Sequence, residues 1–184
     1  MIRVYDVILA GLGLIILFPL ALILYGACYI DTRRPLFLQV RVGRGLIPFT
    51  LVKFRTMHPQ TVSLASHLTN PSAVTRLGWL LRRTKLDELP QLWNVFIGDM
   101  SLVGPRPCLF NQEELIQQRL TLGVFTARPG ITGLAQITGI DMSTPVLLAQ
   151  TDASMLKTLD SYNYFKLVFF TILGKGWGDR VGES

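Results

Sequence analysis

Asp87 and Glu88 stand side by side at the end of a stretch, residues 32 to 86, that holds ten Lys or Arg and no Asp or Glu. Cations around an acid pair keep it ionised and gather phosphate groups in the same place. Adjacent carboxylates can hold a divalent cation or attack phosphorus, so the chemistry these residues suit is phosphoryl transfer. The cations recur in short motifs: Lys53 and Arg55 in KFRTM, Arg82, Arg83 and Lys85 just before the acid pair, Arg106 between Pro105 and Pro107, and Arg128 before Pro129-Gly130. Proline on both sides of Arg106 stiffens its backbone, and a rigidly aimed guanidinium suits bidentate phosphate recognition.

Elements must hold these groups in place. Leu89, Leu92, Trp93 and Phe96 fall at i, i+3, i+4 and i+7, which predicts a short helix ending at Gly98 with that face packed inward. Asp87 and Glu88 then lie at or just before its N-terminus, where the helix dipole favours ionised carboxylates. Simple N-capping by Asp87 explains the position too, and is compatible with catalysis. A helix is expected over 76–83. Extended pieces over 35–43 and 49–57, joined by a turn around Gly43 and Gly45, predict a hairpin with Lys53 and Arg55 on one face. A solvated edge strand carrying basic residues against aggregation is the alternative reading of that face. Residues 58–75 read as an irregular loop, where His58 and His67 lack an acidic or Cys companion for metal binding.

The chain has 184 residues, a natural length for one domain, with a net charge of +6 and 49% hydrophobic residues. Its mean hydropathy of +0.40 is high, and much of the excess lies in the uncharged run from Val7 to Ile30. A signal peptide is disfavoured by the length of that run and by Asp6 before it, and Tyr25-Gly26-Ala27 is a weak lipoprotein box ahead of Cys28. Basic flanks, Arg3 on one side and Arg33 and Arg34 on the other, give little orientation signal. Pro19 breaks the middle, so a helix that enters the membrane and returns stands beside one that crosses it. Cys28 and Cys108 make a poor disulfide pair, which fits a reducing compartment. No zinc spacing, helix-turn-helix pattern or aromatic-interleaved basic run supports nucleic-acid binding.

Taken in order behind the apolar segment, KFRTM, LDELPQLWNVFIGDMSLVGPRP and RPGITGLAQITG resemble the bacterial sugar transferase family, the small monotopic phosphoglycosyl transferases. The resemblance runs from the apolar segment to about Gln136. It implies transfer of a sugar 1-phosphate from a UDP-sugar to polyprenol (undecaprenyl) phosphate with release of UMP, the first membrane step of O-antigen, capsule or glycoprotein glycan assembly. It further implies a ping-pong course in which Asp87 attacks the β-phosphorus and Glu88 helps to bind Mg²⁺. Lys53, Arg55, Arg82, Arg106 with its flanking Pro105 and Pro107, and Arg128 match the family's cationic, substrate-binding positions.

The fold so implied is α/β, mostly helical with a short β-hairpin. A re-entrant membrane helix over 1–31 is broken at Pro19, although Phe18 occupies the position where the family usually has Ser. Residues 32–184 form a small catalytic domain with interfacial amphipathic helices, on the cytoplasmic face of the bacterial inner membrane, handing its product to downstream glycosyltransferases. The C-terminal third departs further: the family's Leu-Asp followed by aromatics is replaced by Thr151-Asp152-Ala153-Ser154, which leaves Asp152 a metal or structural role with Asp160 as rival. Apolar residues over 156–173 suit either an interfacial helix or a core helix, followed by a flexible tail. A non-catalytic membrane-anchored module binding anionic lipid or a partner, and a metal-dependent diphosphate hydrolase, are the competing functions.

Overall fold

The apolar run forms one helix, α1 (Ile2–Thr32), in a computed structural model that describes residues 1–61 and 71–174. His67 and the tail from Lys175 onward lie outside the described residues. At 31 residues α1 would measure about 46 Å, and it is long and apolar enough to cross a membrane. Pro19 sits inside this single helical element rather than between two helices. The helix buries a narrow stripe, Asp6, Ala10, Leu24, Cys28 and Thr32, while Ile15, Ile16, Phe18, Ile23 and Ile30 are exposed on its other sides. That stripe meets the rest of the chain along both halves of α1, and α1 contributes side chains to three of the four hydrophobic clusters among the described residues.

Two charged side chains, Arg3 and Asp6, tie the first half of α1 to the rest of the fold. Arg3 donates to the carbonyls of Val95 at 2.6 Å and Phe96 at 2.8 Å, placing a cation at the negative end of a short helix. Asp6, 1% exposed, accepts on Oδ1 from the Ser101 hydroxyl at 3.0 Å, the Leu102 amide at 2.9 Å and the Tyr164 hydroxyl at 2.8 Å. A buried carboxylate is tolerated where donors replace its lost water, and these three do so.

The predicted hairpin is present: β1 (Leu36–Val42) pairs antiparallel with β2 (Pro48–Phe54), with Gln39 opposite Leu51 and Arg41 opposite Phe49. Its inner face is mixed, with Phe49 and Leu51 of β2 buried beside polar groups. Gln39, Arg41 and Lys53 are buried on the inner face, while Leu38 and Val40 point outward and are exposed. The solvated-edge reading of the basic face therefore fails, because the cations are turned toward the domain.

Helix α2 (Arg76–Thr84) begins at Thr75, whose hydroxyl accepts from the Gly78 amide at 2.9 Å. Helix α3 (Gln91–Ile97) ends at Gly98, whose φ of 105° only glycine adopts readily. Its inward face differs from the periodicity-based expectation. Gln91, Asn94 and Val95 are buried, and Trp93 and Phe96 are exposed. The reason is Asn94, whose side chain accepts from the Val52 amide at 3.1 Å and donates to the Thr50 carbonyl at 2.8 Å, completing the open edge of β2. Leu89 and Leu92 do pack on core clusters as expected, with Leu92 also against Gly13 of α1 and Phe96 against Gly11.

Strands β3 (Ser101–Val103) and β4 (Gly130–Thr132) form a parallel pair that brings the GPRP and RPG motifs together. Gly104 and Gly130 touch backbone to backbone, in space a methyl group would fill. Around this pair lie α4 (Glu113–Thr121), α5 (Leu134–Thr138), α6 (Pro145–Thr158) and α7 (Ser161–Ile172). Helix α7 has Tyr164 and Leu167 in the core and leaves Tyr162, Phe165, Phe169 and Ile172 exposed.

Candidate active site

The acid pair is set by a tight turn rather than by the start of a helix. Helix α2 stops at Lys85, a non-glycine residue in the left-handed region at φ 58°, and a 3-10 turn covers Leu86–Glu88. Leu86 and Leu89, three apart, pack on the cluster of Leu24, Cys28, Phe54 and Leu81, so the turn rests on the second half of α1. Asp87 is buried, and Cys28 of α1 lies within electrostatic reach of it. Lys85 and Pro90, rather than Asp87, occupy the N-cap positions of the turn and of α3.

Glu88 reaches a pocket whose walls come from distant parts of the sequence: Arg41 of β1, Leu51 and Lys53 of β2, Gln91 of α3, Arg106 and Pro107, and Gly130 and Ile131. Arg106 Nη2 lies 3.3 Å from Glu88 Oε1, joining the LDE and PRP motifs. Lys85 is close to the same pair. Burial lowers its pKa, Glu88 opposes that change, and Arg106 adds to it. Three cations and one carboxylate on a single small pocket leave positive charge in excess, as a diphosphate requires.

Rigidity of the P-R-P segment comes from more than its prolines. Four successive carbonyls accept hydrogen bonds: Pro105 from the Gly130 amide at 2.8 Å, Arg106 from Arg119 Nη1 at 2.9 Å, Pro107 from Arg41 Nη1 at 3.1 Å, and Cys108 from the Val42 amide at 3.0 Å.

The remaining expected residues are distributed around this centre. Arg82 is buried, donates from Nε to Thr56 Oγ1 at 2.8 Å, and has a buried Nη1 without a hydrogen-bond partner. Arg55 lies just past β2 and donates to the carbonyls of Arg34 at 3.0 Å and Leu36 at 3.2 Å, outside the pocket wall. Arg55 and Lys53 do share a side, since both cations stand over the Phe37 ring. Arg128 donates to the Gly98 carbonyl at 2.8 Å, holding the end of α3. Asp152, expected in a metal or structural role, is paired with Arg119. Its Oδ2 accepts from Arg119 Nε at 3.0 Å and Nη2 at 2.7 Å, both residues are buried, and Asp152 is not among the pocket residues. The pairing of Oδ2 with Arg119 fits the structural half of the expectation, and Oδ1 is buried without a hydrogen-bond partner among the described residues. Asp160 caps α7, accepting from the Asn163 amide at 2.8 Å.

Arg41, Gln91 and Arg119 are site or support residues that motif reading did not single out. Arg41 was within reach of the sequence, because β1 and β2 alternate in register and Arg41 shares a face with Lys53. Arg119 carries no such signal, since its partners are 13 and 33 residues away.

Among the described residues no three His, Cys, Asp or Glu side chains group as a metal site. Mg²⁺ needs no such cage, because it is commonly held by one or two carboxylates together with water and substrate phosphate. Glu88 lines the cationic pocket and Asp87, not itself in the lining, is its buried neighbour in the chain, so the pair offers the hard oxygen donors that this mode uses.

A cation-lined pocket seated on a helix with an apolar outer face suits a protein that handles phosphorylated molecules at a lipid surface. The chain belongs to the bacterial sugar transferase family, whose model matches residues 1–175. It is 38% identical over 180 residues to a UDP-glucose:undecaprenyl-phosphate glucose-1-phosphate transferase of Caulobacter vibrioides, covering 92% of this chain and 67% of that relative. A protein of the same name from Escherichia coli K12 is 34% identical over 191 residues, covering 97% of this chain and 40% of the relative. A UDP-galactose-lipid carrier transferase of Erwinia amylovora is 32% identical over 187 residues, covering 92% of this chain and 39% of the relative. The chain thus spans two thirds or less of these relatives' own lengths.

Proposed function

We propose that this chain transfers a sugar 1-phosphate from a UDP-sugar to undecaprenyl phosphate, releasing UMP, by way of a covalent aspartyl intermediate. The observation that carries the reading is the meeting of Glu88 and Arg106 at a pocket shared with Arg41 and Lys53, next to the buried Asp87. The family and the names of its relatives support the two substrates.

In the first half-reaction a carboxylate oxygen of Asp87 attacks the phosphorus that bears the sugar. The bond from that phosphorus to the UMP oxygen breaks, and UMP leaves with the electron pair. In the second half-reaction a phosphate oxygen of undecaprenyl phosphate attacks the same phosphorus, the aspartyl bond breaks, and Asp87 returns as a carboxylate. Arg41, Lys53 and Arg106 bind and orient the diphosphate, and Arg82 adds a buried cation near the end of α2. Asp87 and Glu88 would hold Mg²⁺, which supplies charge neutralisation on the phosphate oxygens when bound.

The same reading sets α1 in the cytoplasmic leaflet of the bacterial inner membrane with both ends on the cytoplasmic face. A helix crossing the bilayer carries its ends to opposite sides, whereas here Arg3 and Asp6 at one end and Leu24 and Cys28 at the other all pack on one small domain. Pro19 would ease the entry and return. The lipid-linked product then passes to glycosyltransferases that extend it in O-antigen, capsule or glycoprotein glycan assembly.

The test is UMP release from a panel of UDP-sugars with short polyprenol phosphate in detergent, and the donor follows from which sugar works. Asp87→Asn abolishes release under this account. A hydrolase leaves the sugar phosphate in water, and a non-catalytic anchor releases no UMP at all.

A further inference from the structure

We infer that Arg119, held by Asp152, is a positioning residue that aims Arg106 at the donor's phosphates, an inference that rests on the reading of Arg106 as a phosphate ligand. Arg119 is 1% exposed and lies outside the pocket wall, so it acts through what it grips. Its guanidinium is divided between two tasks. Nε and Nη2 are taken by Asp152 Oδ2 at 3.0 and 2.7 Å, which fixes the plane of the group, and Nη1 then meets the Arg106 carbonyl at 2.9 Å.

A guanidinium in a fixed plane transmits position well, because its donors form a rigid fork. On the pocket side the next carbonyl, that of Pro107, is held by Arg41, and the preceding one, that of Pro105, by the Gly130 amide. The backbone of Arg106 is therefore pinned on both flanks and at its own carbonyl, while its side chain reaches Glu88. Helices α4 and α6, which carry Arg119 and Asp152, thereby set the aim of a loop in the active site. A buried ion pair is a poor source of stability, since apolar replacements of both partners are often neutral or stabilising. Positioning gives this pair a use that packing alone does not.

The experiment is a double-mutant cycle on UMP release in the full chain. The paired variant Arg119→Met with Asp152→Leu removes the ion pair without stranding a buried charge, and the milder Arg119→Lys keeps the charge but loses the fork. Both are read in the native background and with Arg106→Ala, with thermal unfolding measured for each. The inference expects the paired variant to unfold at or near the native temperature and to lose about tenfold to a hundredfold in kcat/KM, the scale of a small misplacement. It expects no further loss when the same change is made on Arg106→Ala. Losses that multiply across the two backgrounds in folded variants, or native activity in the paired variant, overturn the positioning role. Native activity in Arg106→Ala alone overturns the reading of Arg106 beneath it, and so separates the two failures.

Discussion

Arg106 Nη2 and Glu88 Oε1 lie 3.3 Å apart, although the two residues are 18 apart in sequence and belong to different motifs. The pair is partly exposed, so its contribution to stability is small after solvent screening. Its importance is in charge placement: Glu88 occupies one side of Arg106, and a substrate phosphate or a cation must compete for either partner.

Glu88→Gln is therefore expected to keep the fold while lowering kcat by about a hundredfold, and to raise the Mg²⁺ concentration needed for half-maximal rate. Metal titration of the variant checks this. An unchanged Mg²⁺ requirement would remove Glu88 from the metal's surroundings.

Lys85 gives a pH signature. Burial lowers its pKa below the ordinary lysine value, so the cation beside Arg106 and Glu88 is lost earlier on the alkaline side than lysine at about 10.4 would suggest. The alkaline limb of the kcat/KM profile should fall below that value, and Lys85→Arg should move it upward. A limb that stays in place in Lys85→Arg assigns it to another group.

Asp6 anchors the first half of α1 through three donors, one of them Tyr164. Asp6→Ala leaves those donors buried without an acceptor and should cost on the order of 3 kcal/mol, whereas Tyr164→Phe should cost about 1 kcal/mol. Burial, with help from Asp6, pushes the Tyr164 phenol above its ordinary pKa. The native state thus holds a proton that the unfolded chain gives up near pH 10, so this contribution is whole below that pH and declines above it. Thermal unfolding against pH should show the alkaline decline in the native chain and a shallower one in Tyr164→Phe.

Asn94 stands in for a missing strand beside β2. Asn94→Ala should destabilise by about 1–3 kcal/mol by exposing or orphaning the Val52 amide and Thr50 carbonyl, and Asn94→Asp should restore only the acceptor. Denaturant unfolding of both variants in detergent checks the order.

The local signals in the chain are enough for the hairpin and the α2 and α3 helices, because each depends on neighbours a few positions apart. They are insufficient where a tertiary partner decides. The apolar pattern of Leu89, Leu92, Trp93 and Phe96 predicted an inward face, yet Asn94 turns inward to meet β2 and leaves Trp93 outside. Alternation in β1 gave a strand but not its orientation, and here the polar face is the buried one. Asp152 was visible as an acid at a suggestive spacing, but its partner Arg119 is on another helix, and only the fold reveals the ion pair.

The central claim concerns the side chain of Asp87, and one measurement addresses it without the acceptor. The enzyme is mixed with Mg²⁺ and a working UDP-sugar in the absence of polyprenol phosphate, quenched rapidly, and assayed both for UMP and for sugar phosphate bound to protein. A burst of UMP equal to the enzyme, with the adduct mapped by mass spectrometry to Asp87 and absent in Asp87→Asn, is the predicted result. UMP formed only after acceptor is added, with no protein-bound sugar phosphate at any time, would contradict it.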